Sequence, residues 1–122
     1  MTPAQHHGFT DLEIAEHLKV VEDLFWSRRR PPISLRDKVR EGRRFIGHTL
    51  ELFIVRPVFN RPSEHNEESI ARIRYLPGMR CWRLFWKRSN GQWYRYKPCF
   101  EVGSLAEALR VVDEDADSCF FG

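Results

Sequence analysis

Cysteine is scarce in this 122-residue chain, and long apolar runs are missing. The three cysteines, Cys81, Cys99 and Cys119, are odd in number and form no CxxC pair. We therefore expect reduced thiols in a cytoplasmic protein, with neither a disulfide framework nor a metal site. No apolar run reaches the roughly 18 residues of a membrane span, and the N-terminus lacks the basic and apolar regions of a secretory signal. We expect no membrane partner and no cofactor.

Acidic residues are missing from one long stretch. Residues 70–98 contain eight Arg or Lys and no Asp or Glu, whereas residues 1–27 and 99–122 are net acidic. The formal net charge of +3 hides this division between acidic ends and a basic middle. Such charge separation bears on binding partners rather than on the fold.

The composition is that of one globular domain. Hydrophobic residues make up 42% and charged residues 30%, which is typical of a folded chain. A chain of this length can enclose one core. We predict a flexible N-terminus over residues 1–9 and a single α+β domain over residues 10–122.

Helices are predicted at both ends of that domain. Thr10 and Glu13 form a capping-box pattern ahead of apolar residues at helical spacing, and Pro31-Pro32 end the first helix. Ser104 and Glu107 repeat the capping pattern in the second helix. The apolar stripe of that second helix consists of Leu105, Ala108, Leu109 and Val112.

Charged residues cluster at the C-terminal end of each predicted helix. Arg28, Arg29 and Arg30 suit the negative end of the first helix dipole, and a binding role stays open for them. The acidic run over residues 113–117 could suggest a cation site, but it lacks the glycine turn and distal Glu of a calcium loop. We favour a solvated acidic end.

Between the helices the sequence predicts an antiparallel sheet of four or five strands, with five preferred. Strands are expected at about 37–45, 49–57 and 69–75, and residues 81–100 supply the rest. Because the connections are short, neighbouring strands should be antiparallel and form a meander, with both helices on one face. The polar, Pro-containing segment 60–68 is predicted to be an exposed, mobile loop.

The turn Ser89-Asn90-Gly91 decides which side chains share a face. A two-residue Asn-Gly turn would mix charged and apolar residues on both faces, whereas a three-residue turn with Gly91 in a left-handed bulge position separates them. Burying a large apolar side chain contributes about 1.5–3 kcal/mol, and sinking an unpaired charge costs several. We therefore predict the three-residue turn. It places beneath the helices Trp82, Leu84, Trp86, Tyr94 and Tyr96.

The opposite face is the candidate functional site. The side chains predicted to project from it are Arg72, Arg74, Arg83, Phe85, Lys87, Trp93, Arg95 and Lys97. Cations neutralise phosphates and aromatic rings stack on bases, so this face is a candidate for binding single-stranded RNA or DNA. A merely solvating face fits the same pattern, because Arg and Lys keep exposed strands soluble.

Two other functions stay open. The positive face and the acidic helices could pair between copies of the chain or with an acidic protein partner. A small metal-independent ribonuclease of the toxin type would need an acid–base pair. Glu51 lies near the middle of a predicted strand, and no His lies in register with it. No Ser/His/Asp or Cys/His nucleophile pattern is visible.

The C-terminal half resembles a known family. WRLFWKRSNGQWYRY, a Leu-rich helix and the ending VVDEDADSCFFG are similar to the small bacterial proteins of the domain-of-unknown-function family numbered 3024. RRPPISLRDKVR is similar to that family's Pro-Pro, Arg-Asp pair and basic strand. The resemblance covers about residues 12–122, implies one compact domain and transfers no catalytic residue. We interpret Phe120 and Phe121 as an anchored tail that plugs the core.

Overall fold

The computed structural model describes residues 8–35 and 38–121. An N-terminal helix, an antiparallel sheet in meander order and a C-terminal helix follow one another, which confirms the predicted α+β fold. Residues 1–7 of the predicted flexible terminus and the pair Arg36-Asp37 lie outside the described residues. Phe9, which the predicted boundary assigns to that terminus, is buried in the core.

The N-terminal helix has three parts. Helix α1 (Asp11–Val21) continues into a π-helical segment (Glu22–Trp26), and a short α2 (Ser27–Arg29) ends it. The capping box is confirmed, because the Thr10 hydroxyl accepts a hydrogen bond from the Glu13 amide and the Glu13 carboxylate accepts one from the Thr10 amide. The π-helical segment has no counterpart in the sequence-based prediction.

The sheet contains five strands in sequence order and a short sixth strand that pairs with the fourth. They are β1 (Arg40–Ile46), β2 (Thr49–Val58), β3 (Arg61–Leu76), β4 (Cys81–Lys87), β5 (Trp93–Arg95) and β6 (Glu101–Val102). Both β5 and β6 pair with β4, and a 3-10 turn, Lys97–Cys99, separates them. Lys97 therefore lies in this turn and not on a strand.

The prediction of a loop at residues 60–68 is wrong, because β3 runs through this segment. From Arg61 to Ser69, β3 pairs with the outer half of β2. Strand β4 pairs only with Arg72–Leu76, so this part of β2 and β3 forms a hairpin arm beyond β4. Nearly all side chains of the arm on β3 are exposed, and exposed strands lack the apolar alternation by which strands are recognised.

A β-bulge separates the arm from the body of β3. Leu52 lies opposite Ala71, but the next residue, Phe53, lies opposite Ser69. Ile70 is the extra residue and is buried together with Ala71. The bulge thus places two consecutive β3 side chains in the core.

The β4–β5 turn confirms the three-residue prediction. Trp86 lies opposite Tyr94, and Gly91 has a φ of 83°. Trp82, Leu84 and Tyr96 are buried as predicted. Trp86 and Tyr94, which the same prediction places beneath the helices, are only half-buried. The Arg88 guanidinium lies over their rings at centroid distances of 5.3 and 4.7 Å.

Both helices pack on one face of the sheet. The predicted stripe of helix α3 (Leu105–Glu114) is buried in full. It joins Val21 and Phe25 of the N-terminal helix in one core. Leu24, which precedes Phe25 in the same helix, is exposed. Of the two tail residues, Phe120 is buried against Tyr96, whereas Phe121 remains partly exposed. The sheet residues of this core are Leu50, Leu52, Ile70, Ala71, Ile73, Trp82, Leu84 and Tyr96.

The prediction of a solvated acidic end on α3 is wrong for Asp113. This carboxylate is buried and pairs with Arg28 at 3.2 Å and Arg29 at 2.7 Å, which ties the ends of the two helices together. Asp115 accepts hydrogen bonds from the amides of Phe120 and Phe121. No cluster of metal-ligating side chains occurs among the described residues, and within the same ranges no helix has the length and apolarity to cross a membrane.

Candidate functional site

The strand register places seven of the eight predicted site residues on the face opposite the helices. We call this surface the open face. One row across it, from β1 to β5, is Arg44, Glu51, Arg72, Phe85 and Arg95. The next row, from β1 to β6, is Ile46, Thr49, Arg74, Arg83 and Glu101. Lys87 and Trp93 begin a third row. With strands about 4.8 Å apart, each of the two five-residue rows spans about 19 Å.

Two carboxylates lie among the cations of the open face. Arg72 donates from two nitrogens to Glu51 Oε1 at 3.3 and 3.4 Å. Arg83 donates to Glu101 Oε1 at 3.0 Å. Both acids come from outside the acid-free stretch 70–98, so two of the predicted site cations are already neutralised by neighbouring strands.

The remaining cations keep the open face positive. Arg74, Lys87 and Arg95 are exposed and have no carboxylate within 4.0 Å among the described residues. Lys97, in its turn next to β5, is exposed as well. These side chains are available to an anion without breaking an existing ion pair.

The predicted stacking rings are partly covered. The Arg72 guanidinium lies over the Trp93 ring at 4.4 Å from its centroid, and Lys87 lies at 6.0 Å. Arg72 is therefore held both by Trp93 and by Glu51. Trp93 and Phe85 are half-buried rather than fully exposed.

A further aromatic ring, Phe100, belongs to this surface. Arg83 and Arg95 stack on it, with guanidinium carbons 5.4 and 5.2 Å from the ring centroid. Phe85 meets the same ring edge-to-face at 5.4 Å. Aromatic rings and guanidinium groups thus alternate across β4 and β5, and this arrangement holds the cations in place.

A shallow groove of about 320 Å³ crosses the open face. Its lining consists of Ile46, Thr49, Arg72, Arg74, Phe85 and Trp93. The volume lies at the lower end of the range for small-ligand sites. Apolar side chains and two guanidinium groups line it together, so it can hold a flat apolar group and an attached anion at the same time.

Sequence reasoning missed several residues of this surface. The alternation of Thr49 and Glu51 with buried Leu50 and Leu52 was a usable signal for the open face. Ile46 carried no such signal because it ends β1, next to the turn. Phe100 carried none either, since it follows a 3-10 turn rather than lying in a strand.

The groove offers contacts for binding but no group for proton transfer. Its lining contains no His, Cys, Asp or Glu. The Glu51 side chain is only 8% exposed and is engaged by Arg72. General acid–base chemistry needs a titratable group within reach of the substrate, and the described residues that line this groove supply none of these four types.

The sequence matches one protein family, described as Domain of unknown function (DUF3024), over residues 9–122. No curated protein and no solved structure matches the chain.

Proposed function

The chain belongs to the DUF3024 family, and we propose that it binds single-stranded nucleic acid through the open face. One observation carries this proposal: Arg74, which has no carboxylate partner among the described residues, lines the same groove as Phe85 and Trp93. A phosphate and a base could be contacted there together. We also propose a cytoplasmic location, which the free cysteines support, and a bacterial source, which the family resemblance implies.

Arg72 and Trp93 form the stacking platform in this proposal. Bases stack on guanidinium planes as well as on aromatic rings. Because Glu51 and Trp93 hold the Arg72 guanidinium from two sides, its plane is fixed before a ligand arrives. A base stacked on it loses less rotamer freedom from the protein than one captured by a mobile Arg.

Fluorescence anisotropy with labelled single-stranded RNA, single-stranded DNA and a duplex tests this function. Arg74, Lys87, Arg95 and Lys97 are the cations available to phosphates. With four such contacts, the logarithm of the binding constant should fall with the logarithm of salt at a slope of about −3. Absence of binding at low salt would overturn the proposal.

Charge variants locate the binding surface. Arg74→Ala and Arg95→Ala should each weaken binding to all sequences and reduce the salt slope by about 1. Arg110→Ala, which removes an exposed cation from helix α3, is the matched control and should change neither. Glu101→Gln should strengthen binding, because it frees Arg83.

A ring variant separates stacking from charge. Trp93→Ala should weaken single-strand binding by about 1–3 kcal/mol and duplex binding by less, since paired bases are not available to the platform. Equal losses for single strand and duplex would leave only the electrostatic part of the proposal.

Self-association is the second candidate function, and the hairpin arm favours it. Between Arg61 and Ala71 the outer edge of β3 pairs with no described strand, and Phe59 at the tip of the arm is 87% exposed. Open strand edges are templates for added strands. The native mass by light scattering, compared with that of Phe59→Ser, tests this candidate. A monomer at all concentrations would exclude it.

A further inference from the structure

A second groove lies at the end of the sheet, between the β1–β2 turn and the β3–β4 turn. We call it the turn groove. It has a volume of about 500 Å³, and the turn residues that line it are Gly47, His48, Pro77, Gly78 and Met79. Of the eight predicted site residues, only Arg74 lines this groove. Most of its surface therefore lies outside the predicted site.

The turn groove adjoins the groove of the open face. Ile46, Thr49 and Arg74 line both grooves, and these three residues are neighbours in one row across β1, β2 and β3. Phe85 and Trp93 lie on one side of this row, and the two turns lie on the other. A ligand that crosses the row passes directly from one groove into the other.

The charges along this row favour an anion. Asp and Glu are absent from the described residues that line either groove. Arg74 is exposed and has no carboxylate within 4.0 Å in the described part of the chain. Glu13, which interacts electrostatically with His48, is held by the Thr10 amide at 2.8 Å. Arg74 is therefore a cation available to a phosphate at the boundary between the two grooves.

Apolar side chains in the turn groove are open to solvent. Met79 is 58% exposed and Ile46 is 52% exposed. The half-buried His48 ring borders the same groove and is held by Phe9 and Tyr75, at 5.0 and 6.2 Å between ring centroids. A flat ring placed here would remove apolar surface from water, and a methionine sulfur packs favourably against aromatic rings.

The spacing along β3 fits one base on each side of a phosphate. Arg72 lines the groove of the open face, Leu76 lines the turn groove, and Arg74 lies midway between them. Each two-residue step along the strand covers about 6.8 Å. Because stacked bases are only about 3.4 Å apart, adjacent bases in the two grooves must be unstacked. Proteins that recognise single strands commonly splay bases in this way.

We propose that a bound single strand crosses the row at Arg74 and places its next base in the turn groove, an inference that rests on the nucleic-acid binding proposed above. The phosphate between the two nucleotides lies on Arg74. The first base stacks on the platform of Arg72 and Trp93, and the second packs against Met79 and Ile46. The nucleic acid thus runs along β3, and a duplex cannot follow this path because its paired bases stay stacked.

NMR of the protein with ¹³C-labelled methionine methyl groups and ¹⁵N-labelled tryptophan tests the proposal. The chain has two Met and four Trp, and the variants Met79→Leu and Trp93→Phe identify the two reporter signals. The probe is a single-stranded thymidine oligonucleotide of about six nucleotides. A base should move the Met79 methyl signal upfield, and the Trp93 indole signal should move with the same dissociation constant. A stable hairpin duplex should move the Met79 signal far less.

The two reporters separate this inference from the function on which it rests. If neither signal responds, single-strand binding fails and the path fails with it. If the Trp93 signal responds and the Met79 signal does not, binding through the open face stands and the path across Arg74 is overturned. Different dissociation constants for the two signals would also overturn it, since the grooves would then bind separate molecules.

Two exposed apolar residues provide the matched variants. Met79→Ala should weaken oligonucleotide binding about threefold to tenfold and leave the salt slope unchanged, because it removes a base contact but no cation. Leu12→Ala, at a 70% exposed position of α1 that lines neither groove, should change neither quantity. Arg83 donates to the Met79 sulfur at 3.7 Å. A changed salt slope in Met79→Ala would therefore assign the loss to a displaced cation and overturn the base contact.

Discussion

The two faces of the sheet are built from the same strands but differ in what their side chains do. Leu50, Ile73 and Leu84 on the covered face are fully buried. One residue along each strand, Glu51, Arg72 and Phe85 on the open face are held by ion pairs and ring contacts instead. The difference shows that alternate positions of one strand lie in two environments, one buried in the core and one partly open to solvent. Substitutions on the two faces should therefore have very different effects.

The largest effect is expected on the covered face. Leu84→Ala leaves a cavity at a fully buried position and should lower the free energy of unfolding by about 2–5 kcal/mol. Lys87→Ala, on the open side of the same strand, should change it by less than about 0.5 kcal/mol. Urea unfolding measures both. Similar losses of unfolding free energy for the two variants would mean that the two faces contribute equally to stability.

The next largest loss of stability is expected for the buried carboxylate on the helix side. Asp113→Asn removes the shared partner of Arg28 and Arg29. The loss of two charge-assisted contacts should cost about 1.5–3 kcal/mol of unfolding free energy. Glu114→Gln, the exposed neighbour on α3, is the control and should have almost no effect. A negligible change for Asp113→Asn in urea unfolding would show that the helix ends are held by packing alone.

The two faces also explain how far the sequence could predict the structure. Alternation along β4 and the Gly91 turn were enough to separate Leu84 and Tyr96 from Arg83 and Arg95, because burial and charge leave a period of two in the sequence. Local capping patterns located both helix starts. Thr10 and Glu13 form the complete capping box, whereas the second predicted box is only half present, because Ser104 accepts a hydrogen bond from the Glu107 amide but its own amide does not bond to Glu107.

Long-range pairings left no such trace. Glu51 and Glu101 neutralise arginines of other strands. The predicted meander gives the order of the main strands, but it fixes neither the register that places Glu51 opposite Arg72 nor the short β6 that carries Glu101. The β3 half of the hairpin arm, residues 61–68, lacks apolar alternation because its described side chains are exposed to solvent rather than packed against a core. The buried ion pairs of Asp113 with Arg28 and Arg29 join residues from both ends of the chain, so only the folded structure brings them together.

A smaller loss of stability is expected at the β4–β5 turn, which sets the register and so decides which side chains share a face. Gly91 has a φ of 83°, and an added Cβ would meet no atom within 4 Å. Gly91→Ala therefore isolates backbone strain and should cost about 1–2 kcal/mol. Gly78 is equally open, but it lies outside the left-handed region. Gly78→Ala is thus the matched control and should be neutral or slightly stabilising. Equal stabilities in thermal unfolding would contradict the assigned turn.

The smallest change in stability is expected from the protonation of a histidine at the margin of the covered face. His17 lies against Phe9 at 4.6 Å and Trp82 at 5.2 Å between ring centroids. Burial lowers the pKa of His17, while the nearby carboxylates of Glu13 and Glu16 oppose this shift. Since the unfolded chain then binds the proton more tightly, stability should be complete above the ordinary pKa of 6.5 and fall as the pH drops below it.

The His17 effect can be separated from other titrations by comparing urea midpoints at about pH 7.5 and about pH 5.5. A hydrogen bond from the Thr10 amide lowers the pKa of Glu13 from 4.5, so its loss of stability falls below this window. His17→Phe should flatten the dependence between the two pH values, because the ring contacts remain while the proton site is removed. His65→Gln, an exposed position on the arm, should leave it unchanged. If His65→Gln flattens the profile instead, the pH dependence belongs to the arm rather than to the covered face.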